Sequence, residues 1–453
     1  MKSVIVTFRQ YVVSLTIVLS LIAILDPLYS VGQEHPSLNG FITDPGSPTS
    51  FIVDGINITC TPDTVYTMST GDKSAADGVG SNRSGALGSV SVRGCPRHFL
   101  GESIAIFGER DKKEGTLTAI RIDHHSFAGS NILGFAVVEG MLAKNPASHP
   151  QGELVVRADG YRVVIAKATN ASFNPPMRNL EDVQTNAWIR YSGRLQEDGT
   201  ILADEATFWR NDITKREQKL RDKDEFDPSA TQERDRQRHI SRALHGLDAH
   251  RIPAYRNDAM QQRVDALGSR LIPTFQRKLP DGDPTKIRFR FQLVDQKNLR
   301  DGLALPSGII LVPFQVVSRL QNDTQLATVL ADDIATAIEK EGLRELPAKE
   351  RMQALRIAGT AGGFFVPGLG LVTGFVNHEA KERIDMYAEA QSGRVSLDLL
   401  HDAGFDITQA PVAWWLLAST KPRDLKNIKM PFRARALYGA LGTTWRLELA
   451  PLS

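Results

Sequence analysis

Apolar and polar positions change their period twice along this chain. From Phe51 to about residue 210 they alternate every second residue, the pattern of half-buried strands. Ser103-Ile-Ala-Ile-Phe-Gly108 and Gly115-Thr-Leu-Thr-Ala119 resemble Ala187-Trp-Ile-Arg-Tyr-Ser-Gly193 and Gly199-Thr-Ile-Leu-Ala203. A looser match joins Phe51-Ile-Val-Asp-Gly55 to Phe135-Ala-Val-Val-Glu-Gly140. This internal repeat predicts a duplicated β-module over 51–210, built as two small barrels or one double sheet. Residues 69–94, rich in Gly and Ser, predict a long mobile loop within the first copy.

Beyond residue 251 the period is helical. Leu326, Val329, Leu330, Ile334, Ala337 and Ile338 recur at steps of three and four, which predicts a buried helix over 322–341 capped by Asn322 or Asp323. Ile287–Val294 alternates as a strand, and Ile309-Ile-Leu-Val312 is a short apolar run after a turn. Helical spacing returns from Glu379 to Leu400 and stops at Ala403-Gly404. Between them, Ile357–Val376 carries six glycines and Pro367 and no charge. It reads as an apolar hairpin, with a membrane-dipping loop as the alternative. The fold class expected is multidomain α+β: an all-β N-terminal half and a mainly helical C-terminal domain with a short sheet.

Two flanking segments change the picture. Lys2 and Arg9 precede an uncharged run from Gln10 to Leu25, so residues 1–30 read as a signal peptide, cleaved or kept as an anchor. Residues 31–50 read as a flexible lead-in, and 211–250, with alternating charge signs, as a solvated helix or linker. A bacterial protein exported to the periplasm or cell envelope fits this start. The two cysteines, Cys60 and Cys95, then predict a disulfide that stabilises the fold by roughly 3–4 kcal/mol through loop entropy, with two buried thiols as the alternative. Net charge is +2, which gives no field favouring nucleic acid.

Five stretches of the last domain resemble the gluzincin zinc peptidases, the group of prenyl-protein endopeptidases, the membrane heat-shock endopeptidase and periplasmic chaperone-proteases. They are Asp301–Gly308 (against N-A-F-A-L-P-G-G), Ile310–Val312, Asn322–Ala331 (against N-E-D-E-L-A-A-V-L-A), Glu389–Gly393 with Asp402–Asp406, and Ser419–Pro422. The resemblance implies a peptidase-like fold over 251–453 and a substrate groove along Ile309, Ile310, Leu311 and Val312. It also places the family's site residue by residue. The two zinc histidines fall on Asp332 and Thr336, the catalytic glutamate on Asp333, and the third ligand on Glu389. The outer aspartate falls on Gly393 and the late histidine on Lys421. Catalytic zinc needs three firm ligands and an open position for water. The chain keeps one of them, so the expectation is a non-catalytic protein without a metal cofactor. Lys421 would pair with the carboxylates where the ion would sit. A peptide or protein partner in the envelope is expected. The alternatives are a zinc-dependent endopeptidase with an altered site, or a function carried by the β-module. His378-Glu379-Ala-Lys-Glu382 reads as a solvated helix start, Asp123-His-His125 as a pair lacking a third ligand, and Trp414-Trp415 as core.

Overall fold

A computed structural model describes residues 35–69, 89–111, 113–143, 154–223, 225, 227–228, 252–296, 299, 301–340, 364–366, 370–372, 379–418 and 430–449. It is a mixed α+β molecule, with two barrel-like sheets followed by a helical half.

The first sheet holds β1 (Leu38–Ser47), β2 (Ser50–Val53), β3 (Ile56–Ser69), β4 (Ser89–Arg93), β5 (Ser103–Asp111) and β6 (Thr116–His124). Its order is β2-β1-β5-β6-β3-β4, and β2 also pairs with β3, so the sheet closes on itself and β4 hangs on as an extra strand. The second sheet holds β7 (Asn131–Ala143), β8 (Leu154–Ala158), β9 (Tyr161–Ile165), β10 (Asn170–Phe173), β11 (Trp188–Leu195) and β12 (Thr200–Trp209). Its order is β10-β12-β11-β7-β8-β9 with a β12–β9 closure, so the five-stranded ring repeats the first, but the extra strand β10 lies on β12 and not on β9, whereas in the first β4 lies on β3. Both barrels kink at a glycine bulge, between Phe107 and Gly108 and between Ser192 and Gly193. At Gly108 and Gly193 an added Cβ would lie 2.0 and 2.3 Å from a partner-strand carbonyl, so only glycine fits. Register corrects one sequence match: Ile42 opposes Val53 as Val138 opposes Ala158, so Phe51–Gly55 corresponds to Val156–Gly160. It does not correspond to Phe135–Gly140. An alternating apolar strand followed by glycine looks alike wherever it occurs in a barrel.

At these corresponding places both barrels turn on an Asp-Gly pair with left-handed backbone, Asp54 (φ 47°) and Gly55 (φ 80°), Asp159 (φ 59°) and Gly160 (φ 67°). That is the two-residue hairpin turn whose twist suits antiparallel strands.

The lead-in expected over 31–50 is corrected by β1, which makes the first module begin at residue 38. Its Gly and Pro residues mislead because a barrel strand must bend, while Phe41 and Ile42 are buried. Cys60 and Cys95 form a disulfide tying β3 to the chain ahead of β5, with Cα atoms 6.3 Å apart. Most of the loop expected over 69–94 lies outside the described residues, and its end is β4.

The charged segment opens with α1 (Lys215–Lys223), and it is docked. Glu217 is buried between Arg221 (2.8 Å) and Lys340 (2.9 Å), which corrects the expectation of a wholly solvated spacer. Alternating signs hide a single inward carboxylate. The helical half then runs α2 (Asp258–Leu271), α3 (Thr274–Lys278), β13 (Arg290–Val294), β14 (Leu303–Ala304), β15 (Ile309–Pro313), α4 (Phe314–Arg319) and α5 (Asp323–Ile338). After it come β16 (Phe364–Val366), β17 (Gly370–Val372), α6 (Glu379–Asp402), α7 (Ala410–Ala418), α8 (Phe432–Thr443) and α9 (Arg446–Leu449). β16 and β17 pair as the hairpin expected there. The rest of 357–376, residues 1–30 where a signal peptide is expected, and His378 lie outside the described residues. No helix among the described residues is long and apolar enough to cross a membrane.

α5 is the centre of this half. Asn322 caps it by accepting from the Gln325 N–H, and its residues from Gln325 to Ala335 are buried. α2, α6 and α7 pack around it. The second barrel joins the same core with its outer face: Val137 and Trp188 belong to it, and Phe135 stacks on Trp188 at 4.8 Å. Trp414 and Trp415 are buried in this core, as expected.

Candidate functional site

β15 is not the edge strand that a substrate groove along Ile309–Val312 requires. It is the middle of the order β13-β15-β14, and all four residues are at most 1% exposed. A run of four apolar residues without alternation is the mark of a strand buried on both faces, so the groove expected there is withdrawn. The outer strands are β13 and β14.

The structure does gather most of the positions picked from sequence. Asp332 and Asp333 sit together on α5 and are buried, and Glu389 faces them from α6. Gly393 lies one turn further along α6, where an added Cβ would sit 3.4 Å from Leu437. That is an ordinary contact with α8, so Gly393 simply lacks the acid that the resemblance would place there. Thr336, one turn after Asp332, lines a small recess of about 20 Å³ with Ala304, Leu305, Pro306 and the Glu217–Lys340 pair. It is turned to that recess, where it has neighbours other than the carboxylates. Lys421 lies outside the described residues.

The cation among these acids is Arg433, at the start of α8. Pro431 fixes the extended entry to that helix, and the Arg433 side chain reaches back into the cluster. Its Nη1 lies 3.0 Å from Asp301 Oδ2 and 3.3 Å from Asp332 Oδ2, and its Nε lies 3.8 Å from Glu389 Oε2. The guanidinium carbon stands 4.5 Å over the Trp414 ring. One planar fork thus meets three carboxylates, a task for which a lysine ammonium is poorly shaped.

Burial pushes the Asp332 carboxyl up to about 6, with Arg433 and a hydrogen bond from Ser392 pulling the other way. Burial also disfavours charge on Arg433, but Asp332, Asp301, Glu389 and Asp333 outweigh it and hold its pKa above the usual guanidinium value. Asp333 faces Gly302: a Cβ there would lie 1.6 Å from Asp333 Oδ2. Gly302→Ala should therefore cost about 2 kcal/mol through overpacking, read from urea unfolding. Asp333→Ala in the same chain should recover most of that loss, and a double variant no better than Gly302→Ala would refute the contact.

These donors do not fit a catalytic zinc ion. Thr336 is a weak ligand, and the two carboxylates that could serve already share a guanidinium. No group of three or more His, Cys, Asp or Glu among the described residues is arranged to hold a metal. Around Asp123-His-His125, Asp123 pairs with Arg121 (3.2 Å), and His124 stands 6.5 Å from the Tyr66 ring. Sequence reasoning missed Asp301 and Arg433. The signal for Arg433 was there: Arg433 and Arg435 are the only charged residues of an otherwise apolar helix, and such charges need buried partners.

No family model matches this chain, and no curated protein is similar to it.

Proposed function

We propose that this protein is a non-catalytic, metal-free relative of the gluzincin peptidases, exported to the bacterial envelope, where it binds a peptide or protein partner as a scaffold or chaperone-like factor. The observation that carries this reading is the position of Arg433. Its guanidinium lies between Asp332 and Glu389, two of the positions to which the sequence resemblance assigns zinc ligands. A permanently charged guanidinium neutralises carboxylates but lowers no water pKa and supplies no hydroxide. What remains of such a fold is binding. A partner peptide would lie along β14, beside the recess that Thr336 lines.

The test is metal analysis of the purified protein together with a casein cleavage assay. The expected result is far less than one zinc per chain and no chelator-sensitive cleavage. Zinc near one per chain, with cleavage lost on changing Asp333, would establish the altered-site endopeptidase instead.

A further inference from the structure

The outer face of the second barrel carries an acid that nothing above uses. On β7, Ala136 and Val138 point into the barrel core, while Val137 and Glu139 point out toward the helices. Glu139 is 7% exposed and Asp398, on the facing α6, is 4% exposed. Arg157 on β8 stands opposite Gly140. Its two terminal nitrogens are committed to Asp402 at 3.0 and 2.5 Å, which leaves its Nε 3.7 Å from Asp398 Oδ2. Neither oxygen of Glu139 accepts a hydrogen bond from a donor among the described residues. A fully buried carboxylate without a donor is far costlier than a protonated one.

We propose that one proton, shared between Glu139 and Asp398, fastens the second barrel to α6, and that removing it loosens this docking. The protonated carboxyl donates to its neighbour, so both are satisfied in a site closed to water. With the proton gone, two negative charges face each other there. The surroundings cannot absorb them. Glu339, at the end of α5, already accepts from the Val137 N–H (3.2 Å) and adds a third negative charge. Asp159, in the β8–β9 turn, is held by Arg394 of α6. Arg162 on β9 is paired with Glu448 of α9, and His401 of α6 lies between Glu448 (3.5 Å) and Asp402 (3.7 Å). Among these residues, six carboxylates face three arginines.

Burial, then the Asp398 and Glu339 charges, raise Glu139 well above the usual carboxyl range. Burial raises Asp398 to about 6 against the pull of Arg157. For carboxyls raised in the folded state, the stabilisation is full below their unfolded values and is lost as pH rises through the folded ones. Docking should thus be tight at pH 5 and weaker above neutrality.

Hydrogen exchange on the full chain at pH 5.5 and 8.0, corrected for intrinsic rates, tests this. Protection over 135–141 and 394–400 should fall about tenfold or more, while the barrel interior at 161–165 holds. In Glu139→Gln the amide donates to Asp398 at any pH, so the same segments should change less than about twofold. Asp398→Asn is the second variant and should behave alike. No fall in the wild type, an equal fall in both variants, or an equal fall in the barrel interior would overturn the proposal.

Discussion

Replacing Arg433 with methionine should destabilise the protein by about 3 kcal/mol at pH 8, and by clearly less at pH 5. The variant removes the guanidinium that three carboxylates share, and Asp332 among them is buried. The figure stays in the lower part of the range for breaking buried pairs because Asp301 and Glu389 are 38% and 40% exposed and water screens them. The pH dependence carries the mechanism. Burial already raises Asp332 to about 6 with the arginine present. Without the arginine the carboxyl rises further, so the folded state holds its proton over a wider range. A group raised in this way stabilises at low pH and loses that contribution as pH climbs through its folded value. Asp332 is then neutral at pH 5 in the variant and needs no partner. Urea unfolding at the two pH values reads the difference. A deficit equal at both, or larger at pH 5, would mean that Arg433 acts through packing on Trp414 and not through charge. Lysine at 433 should recover only part of the loss, because it keeps the charge but not the fork.

The second large effect is at the Asp-Gly turn of the second barrel. Arg394→Met should cost about 4 kcal/mol, since both partners of the Arg394–Asp159 pair are almost wholly buried and the aspartate loses this counter-ion. The arginine also donates from Nε to the Asp159 carbonyl (3.0 Å) and lies over the Tyr161 ring at 4.8 Å. The first barrel supplies an internal control. Its corresponding turn is gripped by Arg435, 3.1 Å from Asp54, but those side chains are 34% and 13% exposed. Arg435→Met should therefore cost only about 1 kcal/mol. Denaturant midpoints of the two variants rank them, and equal losses would show that burial of the turn does not set the strength of the grip.

Much of this architecture is legible in the residues. Period-two alternation marks the barrels, and the Ser103–Ala119 and Ala187–Ala203 repeats fall on corresponding hairpins. The 3.6-residue period places α5 within a few residues of its ends, and Asn322 is the cap. Less legible is whatever depends on contacts far apart in sequence. Leu38–Ser47 looks like a linker because a bent barrel strand uses glycine and proline. Ile309–Val312 takes an edge role only from the family resemblance, and its second neighbour, β14, is too short at two residues to announce itself in the pattern. At the candidate site, Asp332, Asp333 and Glu389 are found by pattern, but their counter-ion arrives from about a hundred residues beyond α5, and no spacing rule reaches that far.

Both barrels meet the helical half through an Asp-Gly turn and an arginine, yet they do not lean on it equally. The second presses an aromatic flank, Phe135, Trp188 and Trp209, into the helices, whereas the first meets them through Phe41, its turn and the Phe99–Gly101 segment, where Arg446 lies over Phe99 and Gly101 abuts Gly442. Under a pull on its amino-terminal end the leading barrel, which has the smaller aromatic seam, should therefore detach before the second, an order that single-molecule force measurements on the full chain would read.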